Sequence, residues 1–202
     1  MGVPKTLGAA TVVVGKPTPA IFAAAGTPFT VYTISSVAYA NGILTVTLSV
    51  PLPAGNFMPN NQVIAGGVAP GPNEAGAQQV ILWGLSTYLD LNGQMVTVRS
   101  NPSPTSFSIY YSNPNAYSGS DTGKCAPAPF QHYRAIRIEA GQGNGADFVY
   151  VGDNHVSSTQ YVAALSLAGQ LAIEISSDNI PAERICINGT SNSDTCQVSY
   201  IY

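Results

Sequence analysis

The sequence predicts an all-β protein: two small sandwich- or barrel-like domains preceded by an extended N-terminal arm. Three observations point there. Apolar residues recur at every second position in many short runs, Gly, Pro, Asn and Asp punctuate those runs, and no long stretch carries the helical period. Residues 1–28 are rich in Ala, Val and Pro with little of their own to pack against, so they are expected as an arm ordered by a neighbour. Lys16-Pro17 interrupts the apolar run there, which argues against a signal peptide, and acylation at Gly2 would need Met1 removed.

The first domain is expected over 29–118. Asn41-Gly42 has the residues of a two-residue hairpin turn and launches 43–50, where Leu44, Val46, Leu48 and Val50 alternate with Thr45, Thr47 and Ser49. Short apolar runs at 62–65 and 80–83 read as strands. Asn92-Gly93 marks another turn before a strand at 94–99, and 107–111 follows the turn-prone 101–104. Residues 113–129 are full of turn formers and lack periodicity, which places a linker at 119–132. The second domain, 133–202, shows strand patterns at 133–138, 148–151, 170–175, 184–187 and 197–202. Gly141-Gln-Gly-Asn-Gly145 reads as a tight hairpin, and 161–167 is the one stretch with helical character.

Charge narrows the function. Only 8% of residues are charged, against about 25% in an ordinary soluble protein, and the net charge is −3. Seven scattered Lys and Arg do not neutralise a phosphate backbone, so a nucleic-acid partner is excluded. No apolar run has the roughly 18 residues of a membrane helix, so no membrane partner is expected. Positions 17–73 contain no charged residue at all, which suits a surface covered by other subunits. From 133 onward, Arg134, Arg137 and Arg184 face seven acids, so this half is acidic and expected to face solvent or a partner.

Chemistry is hard to find. The 119–124 stretch imitates a phosphate loop but has three residues between its glycines instead of four, and Cys125 stands where the Mg²⁺-binding hydroxyl belongs. Asp153, His155 and Ser157 have the residue types of an acyl-transfer triad, but sequence neighbours on one turn do not hold that geometry. No catalytic residue, cofactor or metal is therefore expected. Cys186 and Cys196 flank a polar loop that would close a hairpin. Free thiols are the reading for a reducing compartment, with a bridge between them the alternative. Asn188-Gly-Thr190 is a formal glycosylation sequon. The 11 tyrosines and Trp83 suit sheet packing, subunit contacts or sugar stacking.

Residues 145–202 carry Val149-Tyr-Val-Gly-Asp-Asn154, the Leu167-Ala-Gly169 turn, Arg184-Ile-Cys-Ile187 and Val198-Ser-Tyr200. In this they resemble a small β-sandwich module of tailed-bacteriophage structural proteins, with Ala168 where that module has Pro. Residues 34–111 are similar to a second phage-associated β-module, through Gly42, Thr45-Val-Thr47, Trp83-Gly-Leu85, Asn92-Gly93 and Thr105-Ser-Phe107. The insert from Pro51 to Glu74 departs from it.

The resemblance implies a non-enzymatic virion component, folded in the host cytoplasm and held on the particle among copies of itself and major capsid or portal and tail subunits. Capsid decoration (cement) or another accessory role is the leading expectation. A head–tail adaptor, or a receptor-recognition module binding a host surface glycan, is the alternative. The expected contact residues are Val12, Val13, Val14, Ile21, Phe22, Phe29, Phe57, Trp83 and Tyr88. Deleting residues 1–28 is expected to leave a folded β-protein that no longer joins particles.

Overall fold

The computed structural model describes residues 5–27, 29–53, 57, 79–112, 120–127, 135–141, 144, 147–166, 172–176 and 184–201. The fold is all-β and built from antiparallel sheets. In chain order, β1 (Lys5–Thr11) and β2 (Thr18–Pro19) precede a single helical turn, α1 (Ala20–Ala23). Then come β3 (Tyr32–Ala40), β4 (Ile43–Leu48), β5 (Gln79–Trp83), β6 (Gln94–Thr97), β7 (Ser100–Ser103), β8 (Ser106–Tyr110) and β9 (Gly123–Pro127). The last six are β10 (Ala135–Ala140), β11 (Phe148–Gly152), β12 (Ala163–Ser166), β13 (Ala172–Ser176), β14 (Cys186–Gly189) and β15 (Thr195–Ile201). They group into two compact units. Unit 1 comprises Met1–Phe29, Leu89–Gln94 and Pro129–Tyr202, and unit 2 comprises Thr30–Tyr88 and Met95–Ala128.

Unit 2 carries a seven-stranded sheet in the order β6-β5-β9-β3-β4-β8-β7. The β3–β4 hairpin forms as its sequence requires. Asn41 and Gly42 both take positive φ, 51° and 77°, as a turn matched to the strand twist demands. Ala40 then pairs with Ile43, and that register turns Leu44, Val46 and Leu48 inward. Phe57 stacks on Phe107 at 5.0 Å and meets Tyr32 edge-on at 5.2 Å. Tyr111 lies edge-on between Tyr39 and Tyr88. The run at 62–65 lies outside the described residues. The stretch expected as a linker contains β9, which sits between β5 and β3 with Cys125 and Ala126 fully buried. Its Gly, Lys and Pro mask a strand whose neighbours, rather than its own pattern, hold it in place.

Unit 1 has two four-stranded sheets, β1-β15-β10-β13 and β12-β11-β14-β2. The segment expected as an arm ordered by a neighbour contributes to both. β1 pairs antiparallel with β15, and β2 pairs with β14. Leu7, Ala10, Val12, Ile21 and Phe22 are buried there. Gly8, at φ 92°, opens a bulge that breaks the alternation of β1 and hides it from a periodicity reading. Behind β1 the chain returns closely enough for Gly26 N–H to donate to the Leu7 carbonyl at 2.7 Å. A side chain at position 26 would collide with that carbonyl, its Cβ only 2.5 Å away.

Three further expectations change in unit 1. Residues 163–166, within the stretch read as helical, form the edge strand β12, whose pairing with β11 outweighs the helix propensity of its alanines. The 141–145 turn does not close a hairpin, because β10 and β11 lie in different sheets. Asn144 pins this corner by bonding both the N–H and the carbonyl of Thr195 at 2.8 Å. The loop between Cys186 and Cys196 likewise passes from one sheet to the other, and both cysteines, like Cys125, are free and buried.

Candidate interaction face

β11 is buried from Val149 to Gly152 and exposed at Phe148. Val149 and Val151 point into the buried side with Leu165 of β12 and Ile187 of β14, all fully buried. Phe148 and Tyr150 therefore occupy the other face, where Tyr150 lies opposite Ala164 on one side and Asn188 on the other. Phe148 and Tyr150 rings run near-parallel, 21° apart with centroids at 6.2 Å, and Tyr161 adds a third ring 5.2 Å from Tyr150. Val156 and Cys186 pack against Tyr150 from the same side. The two ends of the row stay open, with Phe148 39%, Tyr161 50% and Val162 72% exposed.

Asn188 joins this face to the N-terminal segment. Its Nδ2 donates to the Val156 carbonyl at 2.9 Å, and its Oδ1 accepts from Gly15 N–H at 3.1 Å. Asn192 Oδ1 accepts from Val14 N–H at 2.8 Å, so the 13–16 turn is fixed beside β14 with Val13 and Val14 exposed. Phe148 N–H in turn donates to Thr190 Oγ1, whose hydroxyl and backbone N–H both reach the buried Asp194 carboxylate. Six of the eight large apolar side chains exposed among the described residues, Val13, Val14, Leu89, Phe148, Tyr161 and Val162, belong to unit 1, where buried Asn188 ties the 13–16 turn to β14 and Val162 N–H donates to the Val151 carbonyl.

The expected contact residues divide sharply. Val12, Ile21, Phe22, Phe57, Trp83 and Tyr88 are buried within the chain's own cores and offer nothing to a partner. Phe29 is half-buried against Phe22, ring centroids 5.3 Å apart. Only Val13 and Val14 are presented outward. The reason is local. A single apolar residue in a Pro- and Gly-rich stretch gives no sign of which side of a sheet it will face, and these residues found partners in their own unit. Sequence reasoning did not single out Phe148, Tyr161 or Val162, Tyr161 standing there only as one of the 11 tyrosines suited to packing, subunit contact or sugar stacking. Alternation along 148–151 was the signal for Phe148, while the helical reading of 161–167 concealed the other two.

The residue types of an acyl-transfer triad do not converge. Asp153 Oδ1 accepts the N–H of His155 at 2.8 Å and lies 3.7 Å from its Nδ1, both side chains in solvent. Ser157 Oγ is used by the N–H groups of Thr159 and Gln160, so the three residue types occupy two successive turns. In the phosphate-loop imitation, Asp121 is buried and itself accepts N–H bonds from Ser86, Thr87, Tyr88 and Thr122. The nest of amides that a phosphate would need is filled by the chain's own carboxylate. The sequon asparagine is buried with both ends of its amide engaged, so the folded chain presents no acceptor there. No group of three or more metal-binding side chains forms among the described residues. No helix among them is long and apolar enough to cross a membrane. No family model, curated protein or solved structure matches the chain.

Proposed function

We propose that the protein is a non-enzymatic structural component of a tailed-bacteriophage particle, of the decoration or accessory type, and that it docks through the apolar face of unit 1. The observation that supports this most is the exposure of Phe148, Tyr161 and Val162 beside the paired strands β11 and β12, with Val13 and Val14 exposed on the turn that Asn188 holds. Exposed apolar groups set on a rigid frame suit contact with another protein, because little entropy is lost when they are covered. The partner surface is a capsid or tail subunit or a second copy. The contact lies in unit 1, where residues 1–28 fold, rather than in the uncharged half of the chain.

Phe148→Asp and Val162→Asp test this reading. Val162 is 72% exposed, so thermal unfolding of its variant is expected to match the parent, whereas loss of the Phe148–Tyr150 stacking is expected to lower the melt of the other. Incorporation into particles falls by about tenfold or more in both through burial of an unpaired charge. Tyr110→Asp, on the exposed surface of unit 2, is expected to incorporate normally. Parent-like incorporation of both unit 1 variants overturns the assignment. The exposed rings of Phe148 and Tyr161, set on either side of Tyr150, support a second reading, a glycan-stacking surface used in host recognition. On that reading the isolated protein binds a glycan array and Tyr161→Ala abolishes the signal.

A further inference from the structure

Four Asn-Gly dipeptides occur among the described asparagines, at 41, 92, 144 and 188, and the fold treats one of them differently. Asn92, Asn144 and Asn188 are buried. Gly93 is closed in by Cys186 and Asn154, so closely that a Cβ there would lie 2.8 Å from Cys186 Sγ. Asn144 is clamped on Thr195 through both ends of its amide. Asn188 is clamped on Val156 and Gly15, and the N–H of Gly189 donates to its Oδ1 at 2.8 Å. All three are enclosed by the fold, and Asn144 and Asn188 are clamped as well. Asn41 is exposed at the tip of the β3–β4 hairpin, and a Cβ at Gly42 would meet nothing within 4 Å.

We infer that Asn41 is a site of spontaneous backbone-directed deamidation, selected from the four by the fold. The reaction needs only water and solvent base. Base removes the proton from the Gly42 amide nitrogen, and that nitrogen attacks Asn41 Cγ. A C–N bond forms, the side-chain amide C–N bond breaks, and the amide leaves as ammonia after taking up a proton. The resulting five-membered succinimide adds water at one of its two carbonyls, giving an aspartyl or an isoaspartyl residue at position 41. Glycine is the permissive follower because it has no Cβ to block the approach. Attack also requires the turn to open from its positive-φ geometry. A hairpin tip opens locally at far lower cost than a buried clamp, which must first unfold around it.

The consequence is specific. Position 41 lies in the uncharged stretch 17–73, so the product places a carboxylate where the chain has none. The isoaspartyl form also adds a methylene to a two-residue turn that sets the Ala40–Ile43 register.

Peptide mapping by mass spectrometry after alkaline incubation of the intact native protein at body temperature tests the inference, with a urea-unfolded sample in parallel. In the native protein, amide loss at 41 is expected to outrun loss at 92, 144 and 188 by about tenfold or more, as the cost of opening buried sites dictates. In urea the four sites are expected to converge. Equal native rates, faster loss at any of the buried three, or an inert Asn41 in the native sample would each overturn it. Asn41→Asp supplies the mobility marker for the aspartyl product.

Discussion

At the scale of single residues, the buried polar groups do structural work that their sequence context conceals. Asp121 reads as one member of a Gly-, Ser- and Thr-rich stretch, yet its carboxylate gathers the 86–88 loop through bonds as short as 2.6 Å to Thr87 N–H. Asp121→Ala strips acceptors from several backbone N–H groups at once. It is expected to destabilise unit 2 by about 3 kcal/mol or more, read from urea unfolding, whereas Asp121→Asn, which keeps one carbonyl oxygen, costs less. The three cysteines make a complementary case. Burial pushes each thiol above its ordinary value of 9.0, Cys196 up to about 12, with Asp153 adding a smaller contribution at Cys186. The folded state therefore keeps its protons where the unfolded chain gives them up. Stability is unaffected by these thiols below pH 9.0 and falls as pH rises through that value toward about 12 at Cys196. Each thiol contributes a slope of about 1.4 kcal/mol per pH unit. Urea midpoints measured on either side of pH 9.0, against Cys196→Ala, check the sign, since the variant should decline less steeply.

At the scale of elements, the legible strands are those that carry their own instructions. Residues 43–48 alternate and are preceded by Asn-Gly, so both strand and turn were readable before any neighbour was known. β10, β11, β14 and β15 also appear close to where alternation placed them. β1, β7 and β9 were not readable, because Gly8 breaks the period of the first, Pro102 and two serines disguise the second, and β9 is a strand chiefly by virtue of the two it lies between. The candidate face suffered the same limit. Whether Trp83 or Phe148 faces outward depends on which side of a sheet is covered, and no window of sequence contains that information. The N-terminal segment, illegible as sheet, is integral to the stability of unit 1. Removing residues 1–28 takes away β1, β2 and α1 and with them Leu7, Val12, Ile21 and Phe22. Each such side chain contributes about 1.5–3 kcal/mol when buried, against a typical total margin of about 5–15 kcal/mol. Contrary to the sequence expectation that this deletion leaves a folded β-protein, the truncated chain is expected to lose the cooperative unfolding transition of unit 1 and to become protease-sensitive across 135–201. A sharp parent-like melt would instead mean that β15 and β14 tolerate open edges.

At the scale of the whole molecule, the charge deficit acquires a location. Unit 2 carries Glu74, Arg99, Asp121 and Lys124 and is neutral, so the entire net charge of −3 resides in unit 1. Among the described residues, that unit also bears six of the eight exposed large apolar side chains. The ion pair Arg137–Glu139 lies on exposed side chains, where such a pair contributes about 0–1 kcal/mol. The buried carboxylates of Asp121 and Asp194 are held by N–H and O–H donors. Neither folding nor the proposed docking then depends on attraction between distant charges, and both should resist screening. Raising NaCl from about 0.05 M to about 1 M shortens the Debye length from more than 10 Å to about 3 Å. The melting temperature is expected to move by no more than about 2 °C over that range, because burial carries the stability. Retention on particles, measured by co-sedimentation, is expected to change by less than about twofold, since an apolar contact gains slightly when salt screens the acidic surroundings. Release by about tenfold at high salt would assign the contact to the acidic groups of unit 1 and away from Phe148, Tyr161 and Val162.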